Sequence, residues 1–240
     1  MSKAEYLETA LKAAVSAGNL IEERHKDILN VSKKESLRDI VTHVDKLAEN
    51  QIIDILKDYD KNIPILTEES GLVQGKTEKT YWIVDALDGT VNYVNHIPFY
   101  AVSIALFDKN KITVGVIFNP YSNELYYGSD GLGVFKNQKP MKIIDKVPEE
   151  CLFSMAFSGK NYEATKRVDE FLLFGKINDS SRGCLRTGSA AMNLAYLAEG
   201  KFGGCLGKAN KIWDVAAGLL LAKLAGSNVQ FKEVDKERHL

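Results

Sequence analysis

The chain reads as an α+β half followed by an α/β half, packed as one structural unit. Three observations carry this. Two long stretches near the amino terminus repeat apolar residues at helical spacing. From Phe99 to Lys136 the apolar period drops to two, the mark of half-buried strands. Beyond Pro148 strand-like and helix-like segments alternate. With 240 residues the chain suits one large domain or two interlocked ones, since roughly 150 residues per domain is only a prior. The division falls near residue 147: residues 1–147 carry most of the acidic motif residues, and 148–240 complete the set.

Residues 4–29 place Tyr6, Leu7, Ala10, Leu11, Ala14, Val15, Leu20 and Ile21 at helical spacing, so an amphipathic helix is expected. Thr42 to Tyr59 repeats the pattern with Val44, Leu47, Ile52, Ile55 and Leu56, and the polar stretch Ser32–Asp39 between them reads as a loop. Ile63–Leu66 is a short strand ending at Glu68-Glu69, and Tyr81–Asp85 is the next. Strands follow over Ala101–Phe107, Ile112–Phe118, Glu124–Tyr127 and Val134–Lys136. The turn signals Asp108-Lys109-Asn110, Pro120-Tyr121-Ser122-Asn123 and Asp130-Gly131 separate them. Such short connections imply an antiparallel sheet. Helices are expected over Asn161–Phe171, Ser189–Glu199 and Asp214–Ala225, the last two stopped by Gly200 and Gly226.

Composition excludes several classes. Lys plus Arg number 31 against 32 Asp plus Glu, so there is no basic excess to hold nucleic acid, and no direct nucleic-acid partner is expected. No apolar run approaches the ~20 residues of a membrane span, and the amino terminus lacks the apolar core of a signal peptide. The three cysteines, Cys151, Cys184 and Cys205, form no C-x-x-C pair and read as reduced, mostly buried thiols. That fits a cytoplasmic protein.

The most informative stretch is Trp82-Ile83-Val84-Asp85-Ala86-Leu87-Asp88-Gly89-Thr90. An apolar strand delivers two carboxylates to its own carboxyl end, where sites of layered α/β proteins lie. With Glu68-Glu69 upstream and Asp214 downstream these are hard oxygen donors, suited to Mg²⁺ and so to phosphate chemistry. Other readings fit less well. An EF-hand loop starting at Asp85 would need donors where Leu87, Gly89 and His96 stand. A phosphatase with an Asp-x-Asp nucleophile would need its acid at Leu87. The bland alternatives remain solvated turns at Asp85-Asp88 and Glu68-Glu69, and a helix cap at Asp214.

Glu68-Glu69-Ser70, Asp85-Ala86-Leu87-Asp88-Gly89-Thr90 and Trp213-Asp214-Val215-Ala216-Ala217-Gly218 together resemble the inositol monophosphatase family of Mg²⁺-dependent, lithium-sensitive phosphatases. Asn92-Tyr93-Val94-Asn95-His96-Ile97-Pro98 and Arg186-Thr187-Gly188-Ser189-Ala190-Ala191 extend the likeness over nearly the whole chain. The resemblance implies a layered αβαβα sugar-phosphatase fold, with an antiparallel sheet in the amino-terminal half and a second sheet in the other. It implies Glu69, Asp85 and the Leu87 carbonyl as ligands of one Mg²⁺, and Asp85, Asp88 and Asp214 as ligands of a second. A third, weaker ion is held partly by Glu69. Asp45 and Thr90 match a pair that orients the attacking water, with Glu68 behind the ligands as catalytic support. Substrate contacts fall on Asp88, Gly89, Thr90, Gly188, Ser189, Ala190 and Asp214. The family also implies that Mn²⁺ can replace Mg²⁺, that Li⁺ or Ca²⁺ inhibits, and that the protein is a homodimer acting on a small phosphorylated metabolite.

The chemistry is coherent. A phosphate monoester carries about −1.5 to −2 charge at pH 7, which bare carboxylates repel and divalent ions reverse. His25, His43, His96 and His239 have no nucleophile beside them in sequence; His96 reads as a brace for the loop before Pro98. Departures from the family concern the substrate. The glutamate that binds ring hydroxyls seven places before the final aspartate is Gly207 here, which weighs against inositol monophosphate itself. Lys208 and Lys211 are either solvated or the seat of a second phosphate. Asp85-Ala86 stands where the family has Asp-Pro, and a second Thr after Thr90 is replaced by Val91. Only Ser227–Leu240 follow Gly226, where relatives usually continue through a strand and a helix, so the resemblance does not extend to the edge of the second sheet and the pocket wall. The candidate substrates are thus a polyol or sugar phosphate, a 3′(2′),5′-bisphosphate nucleotide, fructose 1,6-bisphosphate or histidinol phosphate. A regulatory protein-binding role, as taken by a bacterial relative in transcription complexes, is the alternative of another class.

Overall fold

In the computed structural model, residues 2–28, 37–73, 79–157, 164–208 and 210–231 are described. The two helical stretches form α1 (Lys3–Ile28) and α2 (Leu37–Asp60). Most of the loop expected over 32–39 lies outside the described residues; its last three are already helical. On α1 the buried face is built from Ala10, Ala13, Ala14 and Ala17, small residues that let the helix approach the strands beneath it, and from the larger Ile21. A Cβ on Gly18 would lie 2.5 Å from the Phe118 ring, so that position accepts only hydrogen.

Beneath α1 and α2 lies an eight-stranded sheet built from β1 (Ile65–Thr67), β2 (Gly71–Val73), β3 (Thr80–Asp88), β4 (Ala101–Asp108), β5 (Lys111–Asn119), β6 (Glu124–Ser129), β7 (Gly133–Lys136) and β8 (Lys139–Pro140). Its order is β2-β1-β3-β4-β5-β6-β7-β8. The sheet is not wholly antiparallel as expected: β1 runs parallel to β3. The connection from β1 to β3 passes through edge strand β2, which the sequence pattern did not reveal. Elsewhere tight turns dictate antiparallel pairing. Lys109 and Asn110 have φ of 49° and 73°, and this pair of left-handed residues joins β4 to β5 with the twist hairpins favour. Asn137 and Gln138 do the same between β7 and β8.

The second sheet is parallel and three-stranded, β9 (Leu152–Ala156), β10 (Gly183–Leu185) and β11 (Phe202–Gly207), ordered β10-β9-β11. Helices α5 (Ala190–Ala198) and α6 (Ile212–Ala225) lie between the sheets, and α4 (Ala164–Asp179) covers the far face of the second. With the short α3 (Thr90–Val94) at the end of β3, the layers run α1/α2, large sheet, α5/α6, small sheet, α4. This is the αβαβα arrangement expected. The start of the helix expected from Asn161 lies outside the described residues, and its observed end is eight residues later than Phe171.

Helices α5 and α6 form a dry layer because they carry small residues: Ala191, Ala195, Ala198, Ala216, Ala217, Ala222 and Ala225 are all buried against the large sheet. Gly115 on β5 completes the fit. A Cβ there would stand 2.9 Å from the Ala217 carbonyl oxygen and 3.2 Å from its Cα, both backbone atoms that cannot swing aside. Gly115→Ala is therefore expected to destabilise the fold by about 1–3 kcal/mol, the usual cost of overpacking. Urea unfolding with an unchanged slope checks it, and a neutral result would mean that α6 is free to lift from β5.

Candidate metal and phosphate site

Strand β3 is buried along nearly its whole length, Trp82 through Leu87. Its apolar run is that of a central strand, and it ends in Asp85 and Asp88. Three residues apart, these would face opposite sides of a regular strand. Between them the pairing with β4 slips: Asp85 lies opposite Ser103 and Asp88 opposite Ala101. That extra residue is a bulge, which restores both carboxylates to one side. The Leu87 N–H donates to Asp85 Oδ1 at 2.9 Å, fixing the Asp85 rotamer.

Asp214 is the third residue of α6 rather than its cap. The backbone N–H of Lys211, which starts the helix, donates to Asp214 Oδ2 at 2.9 Å. This leaves the other carboxylate oxygen turned toward β3. Asp85, Asp88 and Asp214 each place a carboxylate oxygen within 4.8 Å of the others. No two of these oxygens belong to an ion pair among the described residues, so the trio is a concentration of like charge with only oxygen donors. That donor set fits a hard divalent cation.

The two glutamates of the Glu68-Glu69 pair differ in the acids they act on. Glu69 was expected in the metal shell with Glu68 behind it; neither is among the three acids whose oxygens converge, and Glu68 is the one whose charge bears on Asp85. The register explains this. Thr67 lies opposite Val84 in the parallel β1–β3 pair, so the next residue, Glu68, comes level with Asp85. Glu69 acts instead on Asp45, whose carboxyl it influences ahead of the other acids around it.

Asp88 is also bound from the second half of the chain. Its Oδ2 accepts from the Ser189 hydroxyl and from the Ala191 N–H at 2.8 Å, and Oδ1 accepts from the Ala190 N–H at 3.3 Å. Ser189 is the cap of α5 and its hydroxyl oxygen accepts from Met192 N–H at 3.2 Å. Two residues expected to touch substrate, Ser189 and Ala190, thus turn their donors to a carboxylate. The third, Gly188, is pressed against Asn92: a Cβ there would lie 2.9 Å from Asn92 Oδ1, and its φ of 92° also favours glycine. Asn92 donates to the Phe99 and Thr187 carbonyls at 2.7 and 2.8 Å, tying α3 to this loop.

Sequence reasoning missed Glu49. It is 1% exposed on α2, four residues after the buried Asp45 and so on the same face. Its Oε2 accepts from the Glu69 N–H at 3.1 Å and its Oε1 from the Ser70 hydroxyl at 2.5 Å. One carboxylate therefore fixes the turn that carries both glutamates. The Asp45/Glu49 spacing, two acids one helical turn apart within an apolar pattern, was the available signal.

The electrostatics follow from burial. Desolvation, then the charges of Glu69, Glu68 and Glu49, pushes Asp45 up to about 8. Desolvation and then Asp214 raise Glu68 to about 7, although the hydrogen bond with Asp85 pulls the other way. Asp88 rises to about 7 through desolvation, opposed by the Ser189 hydrogen bond. Asp85 is raised well above the carboxylate range and Asp214 is raised too, both chiefly by burial.

Beside the acids, α3 begins at Gly89, whose φ of 93° is left-handed and whose Cβ would meet the Phe99 carbonyl at 3.0 Å. No side chain caps this first turn, and Thr90 Oγ1 donates to the Leu87 carbonyl at 3.0 Å. A cavity of about 210 Å³ opens here, lined by Asp88, Asp214, Gly188, Ser189, Asn210 and Arg186 among others. Lys208 is 3.7 Å from Glu170 on α4 and does not line that cavity. His96, with φ 56°, braces its loop as expected, its Nδ1 3.0 Å from His25 Nε2. The three cysteines are free, Cys151 and Cys184 buried and Cys205 partly so. No described helix is long and apolar enough to cross a membrane.

The sequence profile of the inositol monophosphatase family matches residues 2–231. The chain belongs to the inositol monophosphatase family. It is 34% identical over 226 residues to the Nus factor SuhB of Haemophilus influenzae, a match covering 93% of this chain and 84% of the relative. It is 32% identical over 228 residues to the fructose-1,6-bisphosphatase/inositol-1-monophosphatase of Aquifex aeolicus, covering 92% and 84%. Among solved structures, inositol monophosphatase from Anabaena superposes with a TM-score of 0.80 at 32% identity, covering 93% and 82%. Mycobacterium tuberculosis SuhB gives 0.81 at 26% identity, covering 95% and 87%. Members of this family are generally phosphatases, and the acidic cluster of this chain could hold a metal ion.

Two outcomes follow. Unfolded, these carboxyls titrate near 4; folded and metal-free, Asp45, Glu68 and Asp88 titrate at about 7 to 8. Between those limits the folded state holds protons that the unfolded state has released, so metal-free stability falls as pH rises. Melting in EDTA should drop from pH 5.5 to 8, and the stabilisation by Mg²⁺ should be larger at pH 8. Flat melting across that window with equal Mg²⁺ effects would sink the account. Glu49→Ala, which frees the Glu68-Glu69 turn, should weaken Mg²⁺ binding about 10–100-fold, the range for loss of a group that orients ligands; calorimetric titration reads it directly.

Proposed function

We propose that this chain is a Mg²⁺-dependent phosphomonoesterase that cleaves a small polyol or sugar phosphate with activated water. The observation that carries it is the convergence of Asp85, Asp88 and Asp214 oxygens within 4.8 Å beside a cavity sized for a small metabolite. At about 210 Å³ that cavity is below the ~300 Å³ at which drug-sized pockets begin. Glu68, Asp85 and the Leu87 carbonyl would hold one ion; Asp85, Asp88 and Asp214 would hold another. In this reading Glu68 takes the role first given to Glu69. Bound there, Mg²⁺ supplies the positive charge that offsets the phosphate and lowers the pKa of a coordinated water.

The chain's own groups do the rest. Glu68 and Asp85, whose carboxyls are raised chiefly by burial, would give up their protons to serve as donors when a cation binds. Thr90, whose hydroxyl proton is engaged by the Leu87 carbonyl, presents its oxygen lone pairs to water, and buried Asp45 is the partner that accepts the water's proton or fixes its direction. The N–H groups of the first turn of α3, which no side chain caps, would add donors to phosphate oxygens. No protein nucleophile is needed. A homodimer, replacement of Mg²⁺ by Mn²⁺, inhibition by Li⁺ or Ca²⁺, and a reducing, cytoplasmic setting for the free thiols belong to this proposal by way of the family.

A second reading is favoured by the name Nus factor carried by relatives such as that of Haemophilus influenzae. On that reading the chain is a regulatory partner in a larger assembly, and the expectation of no nucleic-acid contact, drawn from its balanced charge, would give way. Phosphate release from inositol 1-phosphate, 3′-phosphoadenosine 5′-phosphate, fructose 1,6-bisphosphate and histidinol phosphate separates the two. Turnover should require Mg²⁺ and fall more than about a hundredfold in Asp88→Asn, beyond what an orienting residue costs. No turnover with folded, Mg²⁺-binding protein, together with RNA retention on a filter, would favour the regulatory role.

A further inference from the structure

The cavity has a feature that the reacting phosphate does not use. Arg186, between β10 and α5, is the only cation among its described lining residues. Its guanidinium sits 5.9 Å from the centroid of Phe157, within cation–π range. Phe157 is itself stacked on Phe171 of α4 at 4.8 Å and lies 5.6 Å from Phe174. The platform holds the guanidinium in place without consuming its N–H donors. No described carboxylate pairs with it, although Asp88 and Asp214 line the same cavity. An arginine so placed offers a planar fork matched to phosphate or carboxylate.

A second donor stands nearby. Asn210 lines the cavity, and its carboxamide makes no hydrogen bond among the described residues. It occupies the room that a side chain at position 207 would need: a Cβ on Gly207 would lie 2.3 Å from Asn210 Nδ2. Gly207 is therefore not merely a missing group. Its bareness admits the amide, replacing a negative side chain by a neutral donor near a cation. The lysines of this loop do not share the role, since Lys208 faces Glu170.

We propose that Arg186 and the Asn210 carboxamide form a second oxyanion subsite, so that the preferred substrate carries a phosphate or carboxylate besides the ester that is cleaved. This rests on the phosphatase reading and narrows its substrate class. A neutral polyol phosphate would leave the fork and the amide to water.

The test compares two esters that differ only in the second charge, fructose 1,6-bisphosphate and fructose 1-phosphate, in the presence of Mg²⁺. The wild type should prefer the bisphosphate about tenfold or more in kcat/KM, the scale of one charge-assisted contact, with the difference carried by KM. In Arg186→Gln the ratio should collapse to within about threefold, and Asn210→Ala should lower it by a smaller factor. If turnover is Mg²⁺-dependent but the wild type treats both esters alike, or keeps its preference in Arg186→Gln, the subsite is wrong and the phosphatase reading stands. If neither ester is hydrolysed, calorimetric titration of both onto the same proteins decides. Tighter bisphosphate binding lost in Arg186→Gln keeps the subsite while the phosphatase reading fails, and equal affinities overturn it.

Discussion

Repulsion among buried carboxylates is the constraint around which this molecule is arranged. Asp85 and Asp88 end a central strand that is dry on both faces, and Asp214 is brought to them by a helix from the other end of the chain. Charges so placed cannot all remain ionised without compensation. The fold answers in two ways. Asp88 takes the first two N–H groups of α5, those of Ala190 and Ala191, and the Ser189 hydroxyl, which binds the two halves together. Burial and the neighbouring charges raise the Asp85 and Glu68 carboxyls, so both hold protons more tightly than usual, an answer that fails as pH rises and that a divalent cation supersedes.

Seen this way, the small residues between the sheets serve the site. Alanines on α5 and α6, with Gly115 beneath Ala217, let that layer settle close against the large sheet. The close approach sets the distance from Asp214 to β3 and from the start of α5 to Asp88. Stability and metal affinity are therefore coupled through one layer of packing, since lifting α6 would both open a cavity and separate the carboxylates. Glu49 does a comparable service on the opposite side, where a single buried carboxylate governs the turn carrying Glu68 and Glu69.

Much of this was legible in the sequence. Hairpins in the large sheet announced themselves by left-handed turn residues at Lys109-Asn110, and the strand ending at Asp85 by its unbroken apolar run. What escaped has a common physical cause. Which of Glu68 and Glu69 faces Asp85 depends on the register of a parallel pair with intervening chain, and a slip of one residue reverses the answer. The bulge that turns Asp88 to the same side as Asp85 also leaves no mark in one strand alone, because it is a relation to β4. Edge strand β2 has three residues, too few to show a period. Glu49 was hidden because a buried acid in an amphipathic helix breaks the pattern by which such helices are recognised.

The relatives divide between names that denote phosphatases and names that denote a Nus factor, and the geometry bears on that division. A surface used only for docking gains nothing from acids buried until their protons are held near neutral pH; each such group costs stability in the metal-free protein. The cost is offset only when a cation is bound. Asp85, Asp88 and Asp214 do accept local donors, but those bonds do not require all three carboxylates to stand within 4.8 Å of one another. Their convergence, with Glu49 and the α5 amides arranged around them, is a donor set that could hold a cation and that docking alone does not call for.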